Sequence, residues 1–166
     1  MLREHGDLLA PIAVGGALGS LARWGLTTAL PHGGQSWPWA TFLTNVSGCL
    51  LLGALMAFVL GPWSTVPFWG RYLRPFLGVG VLGGYTTFST YELETYVLGG
   101  HAPALAMLYL LASVVSGIGA AWLGLTLGRV VVLDSGRKVV VGGIDPDLDP
   151  DPAPDSAPDP GRGDER

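Results

Sequence analysis

Four long apolar runs constrain the fold of this chain more than any other feature. Leu8–Leu30, Trp39–Leu60, Pro75–Leu98 and Ala104–Leu133 each approach or exceed the ~20 residues that cross a ~30 Å hydrocarbon core at ~1.5 Å per residue. In hydrocarbon every backbone N–H and C=O must find its partner inside the protein, so runs of this length imply α-helices. A composition of 49% hydrophobic and 13% charged residues likewise departs from that of a soluble domain. The expected fold is an all-α membrane protein with four transmembrane helices over residues 1–133. A short basic turn and an acidic, proline-rich tail follow over residues 134–166. Proline removes helix donors and the tail's carboxylates repel one another, so that tail is expected to be disordered and solvated.

The flanking residues suggest how the helices are placed. Arg3 precedes the first apolar run, but the run continues past Arg23 without a small-x-small cleavage signal, which makes it a retained helix rather than a signal peptide. Connections are expected at Pro31–Pro38, Gly61–Arg74 and Gly99–Pro103, marked by the glycines and prolines that end helices. Trp37, Trp39, Trp63 and Trp69 flank the second helix, as interfacial rings do. Arg3, Arg71, Arg74, Arg129, Arg137 and Lys138 all fall on one side, and the loops holding His32 and His101 carry no Lys or Arg. Positive residues remain cytoplasmic, so both termini are expected in the cytoplasm of a multi-pass plasma-membrane protein. Cys49, the single cysteine, lies inside the second run and reads as core packing.

Each helix carries residues that are poor lipid-facing filler. In helix one, Gly15 with Gly19 and Gly16 with Ser20 form small-xxx-small faces that let backbones approach closely. Arg23 reads either as a side chain snorkelling to the interface or as a structural, anion-attracting group. Thr41, Asn45 and Gly48 recur at i, i+4 and i+7 on helix two and so share a polar face. The Asn45 amide could serve an interhelical hydrogen bond or present N–H donors to an anion stripped of water. Tyr109, Ser113, Ser116, Gly117 and Ala120 similarly line one side of helix four.

Helix three is interrupted by Gly83-Gly84-Tyr85-Thr86-Thr87-Phe88-Ser89-Thr90-Tyr91. The two glycines are expected to loosen or break the helix near its middle and free carbonyls for a cation. Phe88 and Tyr91 present ring edges, whose partial positive charge can coordinate an anion weakly, and conduction needs such weak, multiple sites. No acidic residue lies inside helices one, two or four, and Glu92 and Glu94 are expected near the end of helix three. Metal-ligand clusters, nucleophile–base pairs, phosphate-binding loops and basic stripes for nucleic acid are missing, which argues against an enzyme.

Taken together, residues 15–23, 41–48 and 83–91 resemble the CrcB/Fluc fluoride ion channel family, in order and in spacing, over roughly residues 10–130. The resemblance implies an antiparallel dimer of four-helix subunits that exports fluoride passively. It further implies pore-lining Thr41, Asn45, Phe88, Tyr91, Tyr109 and Ser113, a structural Arg23, and a sodium ion held by the backbone carbonyls of Gly83 and Thr86. Tyr91 departs from the family's usual phenylalanine and adds a hydroxyl. The one-sided basic residues are a second departure, because a chain in an antiparallel homodimer must insert both ways; they point to a paralogous partner of opposite orientation. The competing readings are a small proton-coupled exporter, which needs a membrane-embedded carboxylate early in the chain where this sequence has none, and a noncatalytic membrane assembly partner.

Overall fold

The computed structural model describes residues 6–33, 35–60 and 69–142. The acidic tail beyond residue 142, Arg3, and the part of the second connection that holds Trp63 lie outside those residues. Helix α1 spans Gly6–Ala29 and α2 spans Trp39–Leu60. The third crossing is assembled from pieces: a π-helical turn at Trp69–Leu73, a π-helical segment at Pro75–Leu82, one α-helical turn α3 at Gly83–Tyr85, and α4 at Phe88–His101. Helix α5 runs over Pro103–Gly142. Residues 6–29, 39–60 and 103–132 are each long and apolar enough to cross a membrane. Together with the interrupted third crossing they form the expected four-helix, all-α membrane fold.

Glycine contacts reveal the direction of each helix. A Cβ on Gly15 would press on the backbone of Phe76 and Gly80, and one on Gly84 would press on Gly16. Residue numbers rise together, so α1 runs parallel to the first half of the third crossing. Gly53 meets Ala121 and Leu125, and Gly128 meets Ala57 and Ala54, so α2 and α5 are also parallel. Both pairs approach backbone to backbone at positions with almost no side chain, which is how helices associate in lipid, where no hydrophobic force drives them together. The outward faces, among them Leu18, Trp24, Val115, Ile118 and Trp122, are exposed and apolar, as a lipid-facing surface requires.

One end of the bundle gathers the start of α1 and the start of the third crossing, where Arg71 donates to Asp7 at 2.8 Å and Tyr72 donates to the same carboxylate oxygen at 3.0 Å. The opposite end holds the His32 loop and a hairpin in which Ala102 alone separates α4 from α5. The Ala102 amide donates to the Leu98 carbonyl at 2.7 Å, and Pro103 then opens α5 at the position where a missing N–H costs nothing.

Two features differ from the sequence reading. Gly83 is helical, with φ −66° and ψ −34°, and the extended backbone begins at Thr86 (ψ 156°) and Thr87 (φ −148°, ψ 126°). The break therefore follows the glycines, and Gly84 serves close packing against Gly16 instead. Helical backbone in α5 also continues past residue 133 to Gly142. The isolated Gly136 costs only ~1 kcal/mol relative to alanine, too little to end a helix by itself.

The α2–α5 contact generates a stability prediction. A Cβ on Gly124 would sit on the Leu50 carbonyl, whereas one on Gly25 would meet nothing within 4 Å. Gly124→Val should therefore destabilise the fold by about 1–3 kcal/mol or more and lower the fraction recovered as monodisperse protein. Gly25→Ala should leave that fraction unchanged, as read by size-exclusion chromatography after a thermal ramp.

Candidate functional site

The break at Thr86-Thr87 is stabilised from α2. Asn45 Nδ2 donates to the Thr87 carbonyl at 2.9 Å, and the Thr87 amide donates to Asn45 Oδ1 at 2.9 Å. One side-chain amide thus satisfies both backbone groups of a residue that has left the helix, at a depth where either group unpaired would cost several kcal/mol. Thr87 also caps α4: its Oγ1 accepts from the Thr90 amide at 3.3 Å and donates to Thr90 Oγ1 at 3.0 Å, the local geometry that starts a helix. Gly48, one turn beyond Asn45, is buried against the Thr86 methyl.

These bonds redirect two donors. In a continuous helix the Thr87 amide would serve the Gly83 carbonyl and the Thr90 amide would serve the Thr86 carbonyl. Both are diverted, to Asn45 and to the Thr87 hydroxyl. The carbonyls of Gly83 and Thr86 therefore lose their helical donors. A hard cation prefers such oxygen ligands. Among the described residues no group of three His, Cys, Asp or Glu side chains converges.

Beside the break lies a cavity of about 310 Å³, lined in part by Asn45, Cys49, Gly83, Thr86, Thr87 and Phe88. Phe88 opens α4 and is 69% exposed, with its ring centroid 5.9 Å from that of Tyr91. One of the two Nδ2 hydrogens of Asn45 is spent on Thr87, leaving the other for a ligand. Asn45, Gly83, Thr86 and Phe88 are thus brought together as the sequence motifs suggest.

The remaining candidates form a second cluster toward the His32 end. Thr41, one turn before Asn45, is buried and donates to Glu94 Oε1 at 2.8 Å. Tyr109 is 0% exposed and donates to Glu94 Oε2 at 3.0 Å. Tyr91 is buried, packs on Tyr109 with centroids 5.4 Å apart, and donates its hydroxyl to the Leu110 carbonyl at 3.0 Å. The extra hydroxyl is thereby turned into an α4–α5 contact. Ser113 Oγ and Trp37 Nε1 are buried without a hydrogen-bond partner, and the Trp37 ring stands edge-on to Tyr109 at 5.3 Å. Arg23 is half-buried on α1 and makes no side-chain hydrogen bond or ion pair with any of these residues.

Glu94 is the residue whose part in the site the sequence reading missed. It lies toward the end of the third crossing, as expected, seven residues before α4 ends at His101, but its side chain is turned inward and only 12% exposed. The signal was present: Tyr91, Glu94 and Leu98 recur at i, i+3 and i+7, a single helix face, and both Tyr91 and Leu98 are buried.

Replacing Asn45 by alanine would strand the amide and carbonyl of Thr87. We expect a loss of about 1–3 kcal/mol together with faster amide hydrogen exchange confined to the break around Thr87. Uniform exchange across the bundle would show that Asn45 does not hold the break.

Comparison with known proteins places these residues in a family. The family described as "CrcB-like protein, Camphor Resistance (CrcB)" matches residues 10–125. The "Fluoride-specific ion channel FluC 2" of Nocardia farcinica is 47% identical over 69% of this chain and 84% of its own length. A protein of the same name from Bacillus subtilis is 41% identical over 79% of this chain and 95% of its own. The "Fluoride-specific ion channel FluC 3" of Streptomyces avermitilis is 41% identical over 78% of this chain and 62% of its own length. With all four crossings, the interrupted helix and the polar face of α2 inside the matched region, this chain belongs to the CrcB family.

Proposed function

We propose that this chain is a subunit of a fluoride-selective channel that releases fluoride passively from the cytoplasm across the plasma membrane. The observation that carries the reading is the polar break in the third crossing, held open by Asn45 beside a cavity whose wall includes Phe88. An anion in that cavity would meet the second Asn45 N–H and the positive edge of a phenyl ring. Farther along, the Ser113 hydroxyl is buried without an acceptor and is free to donate. Thr41, Tyr91 and Tyr109 shape the continuation toward the His32 end. Each contact is weak enough to release an ion, as conduction demands. The identity of the ion comes from the names of the relatives.

The open carbonyls bear on assembly. Gly83 is exposed and Phe88 is 69% exposed on the isolated chain, and a carbonyl without a donor is costly in hydrocarbon. Packing of a second subunit against this face, antiparallel to the first, would cover it. A sodium ion between the subunits would be held by the carbonyls of Gly83 and Thr86 and would neutralise their partial charges. Arg71, Arg74 and Arg129 lie at one end of the bundle, and that bias favours cytoplasmic termini and a paralogous partner inserted the opposite way. Streptomyces avermitilis itself has two relatives of this chain, FluC 2 and FluC 3. Arg23 is assigned a structural role near the outer end of α1.

The largely enclosed Glu94 is the observation that favours a second reading, a proton-coupled exporter. Liposomes loaded with potassium and fluoride and held at equal pH on both sides distinguish the two, since uncoupled anion flow needs a charge shunt. We expect electrode-detected fluoride efflux to begin when valinomycin is added and to leave the internal pH at the protein-free background, whereas efflux matched by a stoichiometric change of internal pH would favour the exporter.

Phe88→Ile should reduce efflux to the protein-free background while the assembly elutes as before; unchanged efflux would remove the ring-edge contact. Tyr91→Phe should retain efflux within about twofold and cost about 1 kcal/mol, because it deletes one hydrogen bond and keeps the ring. If pairing with a paralogue is required, the chain alone gives little efflux and the added partner restores it. Robust efflux by the chain alone would dismiss that requirement.

A further inference from the structure

At the His32 end the hydroxyls of Thr41 and Tyr109 are both directed onto the Glu94 carboxylate. An anion entering from that end therefore meets a negative charge first. Among the described residues, the only other charged or titratable side chain against that carboxylate is His32, whose Nε2 lies 3.5 Å from Oε1, the oxygen that already accepts from Thr41. Both side chains are largely enclosed, at 20% exposure for His32 and 12% for Glu94. Screening by salt is weaker for such a pair than for one on an open surface.

Among the described residues the surroundings supply no competing cation. His32 comes from the α1–α2 loop, Thr41 from α2 and Tyr109 from α5, while α4 contributes Glu94 itself and Tyr91, whose hydroxyl is committed to Leu110. Glu92 and His101, on the same helix as Glu94, are exposed and have no recorded contact with its carboxylate. Residues 30–38 and 99–103 contain no Lys or Arg. Among the described residues His32 is thus the one histidine on this carboxylate, and histidine is the side-chain type suited to a charge switch near neutral pH.

We infer that His32 is a positioning residue that makes anion entry at this end dependent on pH, by compensating the Glu94 carboxylate when its imidazole is protonated. The inference rests on the channel reading above. With His32 neutral, the cluster carries a full negative charge and holds the hydroxyls of Thr41 and Tyr109. With His32 protonated, the pair is neutral overall, and the imidazolium shares Oε1 with the Thr41 hydroxyl. That neutralisation favours an anion. Flux should therefore be faster at pH 6 than at pH 8.

The test uses the conducting assembly, from this chain alone or with its partner, in liposomes at pH 6 or pH 8 on both sides. Fluoride efflux is measured with valinomycin present, and the hydrogen fluoride leak of protein-free liposomes is subtracted at each pH. We expect wild-type efflux to be about threefold or more faster at pH 6, His32→Gln to remain at the slow rate at both pH values, and His32→Arg to remain fast at both. A purely structural His32 would give two variants alike in rate with the pH response retained, and that result would overturn the inference. So would a flat wild-type profile, which leaves the channel reading in place. No protein-dependent efflux at either pH would remove the channel reading, and this inference with it.

Discussion

The structure depends on one side chain meeting the backbone of another helix. Where α3 ends, the chain spends Thr86 and Thr87 in extended conformation, and the hydrogen bonds lost there lie in a region where water does not replace them. Asn45 returns two of these bonds through a single planar amide, its oxygen to the Thr87 N–H and its nitrogen to the Thr87 C=O. Leu, close to it in size, offers neither donor nor acceptor, and an ionised Asp offers only acceptors. The break is thus a designed interruption whose polar groups are divided into two sets: those of Thr87, which are satisfied, and the carbonyls of Gly83 and Thr86, whose donors have been diverted.

That division explains the close packing around it. An amide reaching from α2 to the break must be held to a few tenths of an ångström, and both neighbouring helix pairs meet through glycine backbones, Gly15, Gly16 and Gly19 on one side and Gly53, Gly124 and Gly128 on the other. Side chains at these positions would press α1 away from the third crossing and α2 away from α5, the two helix pairs that flank the Asn45–Thr87 contact. Gly48 makes the connection directly, since it faces the Thr86 methyl one turn from Asn45.

Much of this was legible in the sequence, for identifiable reasons. Membrane crossing is governed by length and hydropathy, which are local properties, and all four crossings occur where the apolar runs lie. Helical periodicity put Thr41, Asn45 and Gly48 on one face, and they are on one face. The position of the break was misread by about one turn because the glycines were credited with conformational freedom, whereas Gly84 is used for contact with Gly16 and the interruption is enforced by Thr87 capping α4 and by Asn45, which lies 42 positions earlier. Glu94 was misread because distance from a helix end says nothing about direction around the helix axis. Its spacing from Tyr91 and Leu98 contained that information, but a carboxylate normally excludes itself from an apolar face unless its partners are known. Those partners, Thr41 and Tyr109, come from two other helices.

Glu94 also ties together the two halves of the candidate path. Thr41 lies one helical turn from Asn45 on α2, and its hydroxyl bridges to a carboxylate on α4 that in turn accepts from Tyr109 on α5. The polar contacts therefore continue from the break, across three helices, to the loop holding His32. A buried carboxylate in this position satisfies two hydroxyls that would otherwise be unpaired in an apolar core formed by Tyr91, Leu98, Ala106 and Tyr109. On the channel reading proposed above, the same arrangement would place a negative charge where an anion has to pass. Structural satisfaction and anion conduction thus make opposite demands on Glu94, and an imidazole within ion-pair distance is a group of the right chemistry to reconcile them.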